Sequence, residues 1–217
     1  DVADQMGRVD LRSGTFAVIG HSRLVTNGSH ISDENNQPVV KDGVVGIHNG
    51  IIVNENELWS RYPELKRNYE IDTEVMLALV RRHLRTDGDI TSSVSKAVGE
   101  VFGTVAAAFF VDDLNVLALA TNNGSLYTMT GEDGFFAFAS EEYFLKKLAK
   151  KMRMGGKCKI RQVVSGSGLA LDLERFDLQE FVFKAAGKKA VPKGHAPYRI
   201  VARSVSDGRP QRELILD

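Results

Sequence analysis

Between Val105 and Ala139 the chain reads as four short apolar runs, Val105 to Val111, Val116 to Ala120, Leu126 to Thr130 and Phe135 to Ala139, separated by turns rich in glycine and asparagine. Such runs are strands, and they fall far short of the roughly 20 residues of a membrane helix, which excludes a transmembrane protein. The economical arrangement is a four-stranded meander. Upstream, alternation and β-branched content predict strands at Thr15 to Ile19, Val44 to His48 and Ile51 to Val53, the last two joined by an Asn49-Gly50 tight turn. Downstream, strands are expected near Ile160 to Val164 and Gly168 to Leu171.

Helical patterns stand between these runs. Asn54 to Pro63 reads as a short capped helix. Behind Asp72, Met76, Val80 and Leu84 recur at four-residue spacing, Leu77 and Leu79 widen the stripe, and Gly88 stops it. A second helix follows from Asp89 or Thr91 to Phe102, with Val94, Ala97, Val98 and Val101 on one side. A third is capped at Ser140 and runs to about Lys151, with Phe144, Leu145 and Leu148 toward the core. Paired helices between antiparallel strands bury every apolar face if the sheets pack on each other and the helices cover them. From Ala185 onward the chain holds too few large apolar residues for a second core and reads as a linker or tail.

Charge and cysteine content narrow the function classes. Twenty-eight Lys and Arg balance twenty-eight Asp and Glu, so no whole-chain field draws the protein to nucleic acid or anionic lipid. The basic stretch at Lys146, Lys147, Lys150 and Lys151 has helical spacing and reads as a solvated outer face, without the interleaved aromatics of a nucleic-acid site. Cys158, the single cysteine, cannot form an internal disulfide, and histidines 21, 30, 48, 83 and 195 show no metal-ligand spacing. A reducing, cytoplasmic setting without metal or cofactor is the expectation. Asp112-Asp113 and Glu132-Asp133 read as turn residues.

Three polar clusters interrupt the apolar elements: Gly20 to Gly28, Ile47 to Ile52 and Ile71 to Val75. Taken singly each has a plain reading, with Arg23 a surface arginine, Asp72 a helix N-cap and Asn49-Gly50 a turn. Their joint order is more specific. At His21-Ser-Arg23 with Thr26 and Gly28, at His48-Asn-Gly-Ile-Ile52 and at Asp72-Thr-Glu-Val75 the chain resembles the class II glutamine amidotransferases. That is the N-terminal-nucleophile type seen in glucosamine-6-phosphate synthase and amidophosphoribosyltransferase. Looser likeness continues through Gly103 to Ala106, Ala120 to Tyr127 and Phe138 to Glu141, covering roughly residues 1 to 175.

The resemblance implies an α+β fold, a four-layer α/β/β/α sandwich of the N-terminal-nucleophile hydrolase type, with residues 1–184 as the glutaminase domain and 185–217 as linker and tail. It implies that L-glutamine is hydrolysed to glutamate and ammonia through a cysteine thioester. Arg23 would clamp the substrate's α-carboxylate through two parallel donors, and Asp72 would hold the α-ammonium. Thr26 and Asn27 would line the substrate's flank. The Asn49 side-chain amide and the Gly50 N–H would form the oxyanion hole. Leu24 and Asn27 depart from the aromatic residue and the histidine of glucosamine-6-phosphate synthase.

The family's nucleophile is an N-terminal cysteine, whereas this sequence starts at Asp1 and Cys158 reads as an incidental thiol. With only a short segment before Arg23, the first strand of the fold is expected to be missing from the front of the chain. An omitted upstream segment, a catalytically silent domain that binds an amino acid or a partner, and a strand supplied by another chain all remain open. No acceptor domain is expected to follow, so ammonia would pass to a separate synthase protein or escape. Oligomeric state, including a homo-oligomer, stays open.

Overall fold

The central strand of the molecule shows why the apolar runs lack alternation. The computed structural model describes residues 17–21, 36–132, 134–154 and 156–186. Among them run strands β1 (Val39–Lys41), β2 (Val44–Ile52), β3 (Gly103–Val111), β4 (Val116–Thr121), β5 (Tyr127–Gly131), β6 (Phe136–Ala139), β7 (Cys158–Gln162), β8 (Ser167–Asp172) and β9 (Leu178–Val182). The helices are α1 (Glu55–Arg61), α2 (Thr73–Asp87), α3 (Ile90–Glu100) and α4 (Glu142–Lys151). Two antiparallel sheets form, a six-stranded one in the order β1-β2-β3-β4-β8-β9 and a three-stranded one in the order β6-β5-β7. Along β3, Val105, Ala107, Phe109 and Val111 pack under α2 and α3 with Met76, Val80, Val94 and Val98. Ala106, Ala108 and Phe110 turn the other way, toward Leu126, Val163, Phe136 and Phe138 at the second sheet. A strand buried on both faces needs no polar side, so its sequence is continuously apolar.

The fold is thus a four-layer α/β/β/α sandwich: α2 and α3, the six-stranded sheet, the three-stranded sheet, and α4, which packs across β5, β6 and β7. Helix α2 ends where Gly88 takes a left-handed conformation, φ 69°, and donates to the Leu84 carbonyl at 2.9 Å. Asp89 then caps α3 by accepting from Ser92 N–H at 2.6 Å. The start of α2 is held by a buried ion pair, Lys41 Nζ to Glu74 Oε1 at 2.8 Å, with Lys41 4% and Glu74 0% exposed. Glu74 also accepts from the backbone N–H groups of Asn68 and Tyr69, at 2.8 and 2.7 Å, and Lys41 donates to the Lys66 carbonyl. Strand β1, helix α2 and the 66–69 loop are therefore tied at one point.

Several expectations are corrected. Asn49-Gly50 is no turn, because β2 runs unbroken from Val44 to Ile52 and pairs along its length with β3, Asn49 opposite Ala106 and Gly50 opposite Val105. The meander divides: β3 and β4 belong to the large sheet, β5 and β6 to the small one. Of the strand expected at Thr15 to Ile19, residues 15 and 16 lie outside the described residues and Ala17 to Ile19 carry no regular structure. The N-cap of α4 is Glu141 rather than Ser140, and Phe144 is 51% exposed while Leu145 is buried. Strands β1 and β9, short and half exposed, had no distinct signature. Asp113 does more than turn the chain, since both its oxygens accept from Arg81 at 2.9 Å, which holds its carboxyl below the usual range.

The chain divides into a unit of residues 1–187 and one of 188–217, and the latter lies outside the described residues, as does most of the expected 185–217 tail. No helix among the described residues is long and apolar enough to cross a membrane.

Candidate active site

Strand β2 outruns its neighbour, and the site grows from that mismatch. β1 pairs with β2 only from Val44 to Gly46, and among the described residues no strand lies along the rest of that edge of β2. Side chains take over. Gln37 accepts from His48 N–H at 2.5 Å and donates to the His48 carbonyl at 2.9 Å, copying what a neighbouring strand would do. Four residues on, Ile52 N–H donates to Asp72 Oδ2 at 2.8 Å. Ladder alternation sends the Gly50 N–H to the same edge, between these two closures.

Asp72 occupies the N-cap position of α2 but makes no side-chain cap bond, so its carboxylate serves the strand and not the helix. It is 4% exposed. Gly50 has φ 145°, and a Cβ there would lie 1.9 Å from the Thr104 carbonyl oxygen and 2.7 Å from His48 Nε2, so only glycine fits. His48 is buried at 3% exposure and lies against the Thr104 carbonyl, to which Nε2 donates at 3.0 Å. Burial pushes its pKa below the ordinary 6.5, an effect that the Asp72 charge partly offsets.

This shift gives a pH prediction. The unfolded histidine takes a proton near 6.5 and the folded one resists it, so stability is fully present above 6.5 and falls as pH drops below that value. The Tm of the wild type should therefore fall more between pH 7 and 5 than that of His48→Gln. Parallel Tm profiles for the two proteins would contradict the assignment.

Asn49 points the other way from its neighbours on β2. Its side chain is exposed and enters a cleft of about 240 Å³ between the two sheets, lined also by His21, Ile47, Ala106, Ala108, Ser125, Phe138 and Ser140. The alanines of β3 keep the floor of the cleft low. His21 Nε2 meets Asn49 Oδ1 at 2.7 Å. The Asn49 Nδ2 hydrogens have no acceptor among the described residues, so two amide donors are free for a ligand oxygen.

Of the residues singled out in the sequence, the structure brings Asn49, Gly50 and Asp72 onto or against one stretch of β2, residues 49–52. Asn49 lines the cleft, whereas Gly50 and Asp72 are not among its lining residues. Arg23, Thr26 and Asn27 lie outside the described residues. Cys158 opens β7 opposite Gly131 and takes no part in the cleft. Sequence reasoning gave no site role to His21, Gln37 or Ser125, and gave Ser140 only that of a helix cap. His21 stood within the quoted motif, whereas Gln37 reaches His48 across eleven residues with no local signal.

The sequence matches the family model described as "glutamine amidotransferase domain" over residues 21–147, more than half of the chain. Glutamine–fructose-6-phosphate aminotransferase (isomerizing) of Xanthomonas campestris is 37% identical over 97 residues, covering 44% of this chain and 16% of that protein. The Pseudomonas aeruginosa enzyme of the same name is 27% identical over 212 residues, covering 92% of this chain and 35% of that one. The chain thus spans about a third or less of the length of these relatives. In fold it is similar to glutamine phosphoribosylpyrophosphate amidotransferase from B. subtilis complexed with ADP and GMP, with TM-score 0.54 and 20% identity over 76% of this chain and 34% of that one.

Proposed function

The chain belongs to the glutamine amidotransferase domain family, and from that premise we propose that it binds L-glutamine and hydrolyses its side-chain amide to glutamate and ammonia. The observation that carries the reading is the convergence on residues 49–52 of β2: an Asn49 amide donor with no acceptor among the described residues, a glycine that no other residue can replace, and the buried Asp72 carboxylate on Ile52 N–H. Attack on the glutamine amide carbon turns its oxygen negative, and N–H donors fixed in advance stabilise that charge without reorganising. Asn49 Nδ2 and Gly50 N–H supply them. Asp72 attracts the substrate's α-ammonium, and Arg23, with Thr26 and Asn27 at the flank, takes the α-carboxylate through its paired donors.

The nucleophile in this reading is the family's N-terminal cysteine. Its thiolate adds to the amide carbon, ammonia leaves with the proton that the α-amine accepted from the thiol, and water then opens the thioester to glutamate. Ammonia passes to an acceptor domain or a partner protein. The domain comprises residues 1–184, followed by the 185–217 linker.

Ammonia release from glutamine by the protein carrying its natural N-terminus tests the reading. Asp72→Asn is the informative variant, because asparagine still offers an oxygen to Ile52 N–H while removing the charge. We expect KM for glutamine to rise at least about tenfold, one charge-assisted contact, with Tm little changed. Glutamine binding without ammonia release would instead mark a binding module, and no effect of Asp72→Asn on KM would leave Asp72 a purely structural residue.

A further inference from the structure

We infer that His21 is a positioning residue that fixes the Asn49 amide with its Nδ2 hydrogens presented to the cleft, a role that rests on the glutaminase reading for its catalytic consequence. A primary amide has two ends of nearly equal shape and opposite polarity, and rotation about its last bond exchanges them. Asn49 is exposed and its only hydrogen-bond partner among the described residues is His21, so nothing in the packing of β2 decides which end faces the substrate. The wrong end would set a carbonyl oxygen against a developing oxyanion.

The 2.7 Å contact to His21 decides it once the ring hydrogen is placed. Asn49 Oδ1 can only accept, so His21 Nε2 must carry the hydrogen and donate. With Oδ1 held, Nδ2 lies on the other side of the amide with no acceptor among the described residues. The second ring nitrogen bears this out, since Nδ1 is buried and has no hydrogen-bond partner. A hydrogen on that buried Nδ1 would be an unsatisfied donor, which costs more than an unpaired lone pair, so the hydrogen belongs on Nε2 and Oδ1 is the end of Asn49 that meets it. Because Nε2 is committed to Asn49 and Nδ1 is buried, His21 acts through Asn49 and does not itself touch the reacting atoms.

Two measurements on the protein with its natural N-terminus test this. Nitrogen-15 NMR of the His21 ring reads the tautomer without any turnover, and Nε2–H is expected; an Nδ1–H ring overturns the inference whether or not glutamine is hydrolysed. An inert wild type with the Nε2–H ring would sink the glutaminase reading and leave the amide orientation standing. In turnover, His21→Ala should lower kcat about 10- to 100-fold with KM nearly constant, part of the effect of an oxyanion donor. His21→Gln, which still offers an N–H to Oδ1, should restore most of that loss. On an Asn49→Ala background His21→Ala should change kcat less than about twofold, because the two act as one unit. An equal loss on both backgrounds, or a change confined to KM, overturns the positioning role.

Discussion

Lys41→Met is expected to lower the free energy of unfolding by about 3–5 kcal/mol, the usual consequence of stranding one charge of a buried pair. Glu74 is fully buried, and without Lys41 its carboxylate keeps, among the described residues, only the Asn68 and Tyr69 N–H groups. The methionine fills the volume of the lysine stem, so the loss measures charge and not a cavity. For a chain of this size the change corresponds to a Tm lower by on the order of 10 °C. Urea unfolding of the variant and of Lys41→Met/Glu74→Gln separates the contributions, since the double variant removes both charges and should regain part of the stability. A loss below about 1 kcal/mol in the single variant would show that the pair is relieved by water or movement.

Asn49→Ala is expected to lower kcat for glutamine hydrolysis by about 10²–10³-fold, as removal of one preorganised oxyanion donor does elsewhere. The side chain is exposed and bonds only to His21 among the described residues, so stability should change by no more than about 0.5 kcal/mol. KM should stay nearly constant, because the donor acts on charge that develops only in the transition state. A steady-state comparison of the two proteins decides the matter. Loss of KM alone, with kcat intact, would make Asn49 a ground-state contact and remove it from the oxyanion hole.

The sequence was informative where local pattern and tertiary outcome agree. Helix α2 is the plainest case: its stripe, its acidic start and its glycine stop all describe one helix, and the structure has it from Thr73 to Asp87. Strand β3 is another, since an apolar run without alternation can only be covered on both sides. Asn49-Gly50 misled because the dipeptide's local preference for a turn is weaker than pairing with Ala106 and Val105. Asp72 had two acceptable partners, its own helix and a strand twenty residues earlier, and spacing alone does not choose between them. Contacts such as His21 with Asn49, twenty-eight residues apart, leave no periodic trace at all.

The shortness of β1 has a consequence for solubility. An open flank of a sheet, with its amides and carbonyls in line, is a template for docking a strand from another molecule. On β2 that flank is broken by Gln37 and by the Asp72 charge, which present side chains where an incoming strand would need backbone. The side chains that close this edge of β2 therefore also guard it against fibre-like self-association.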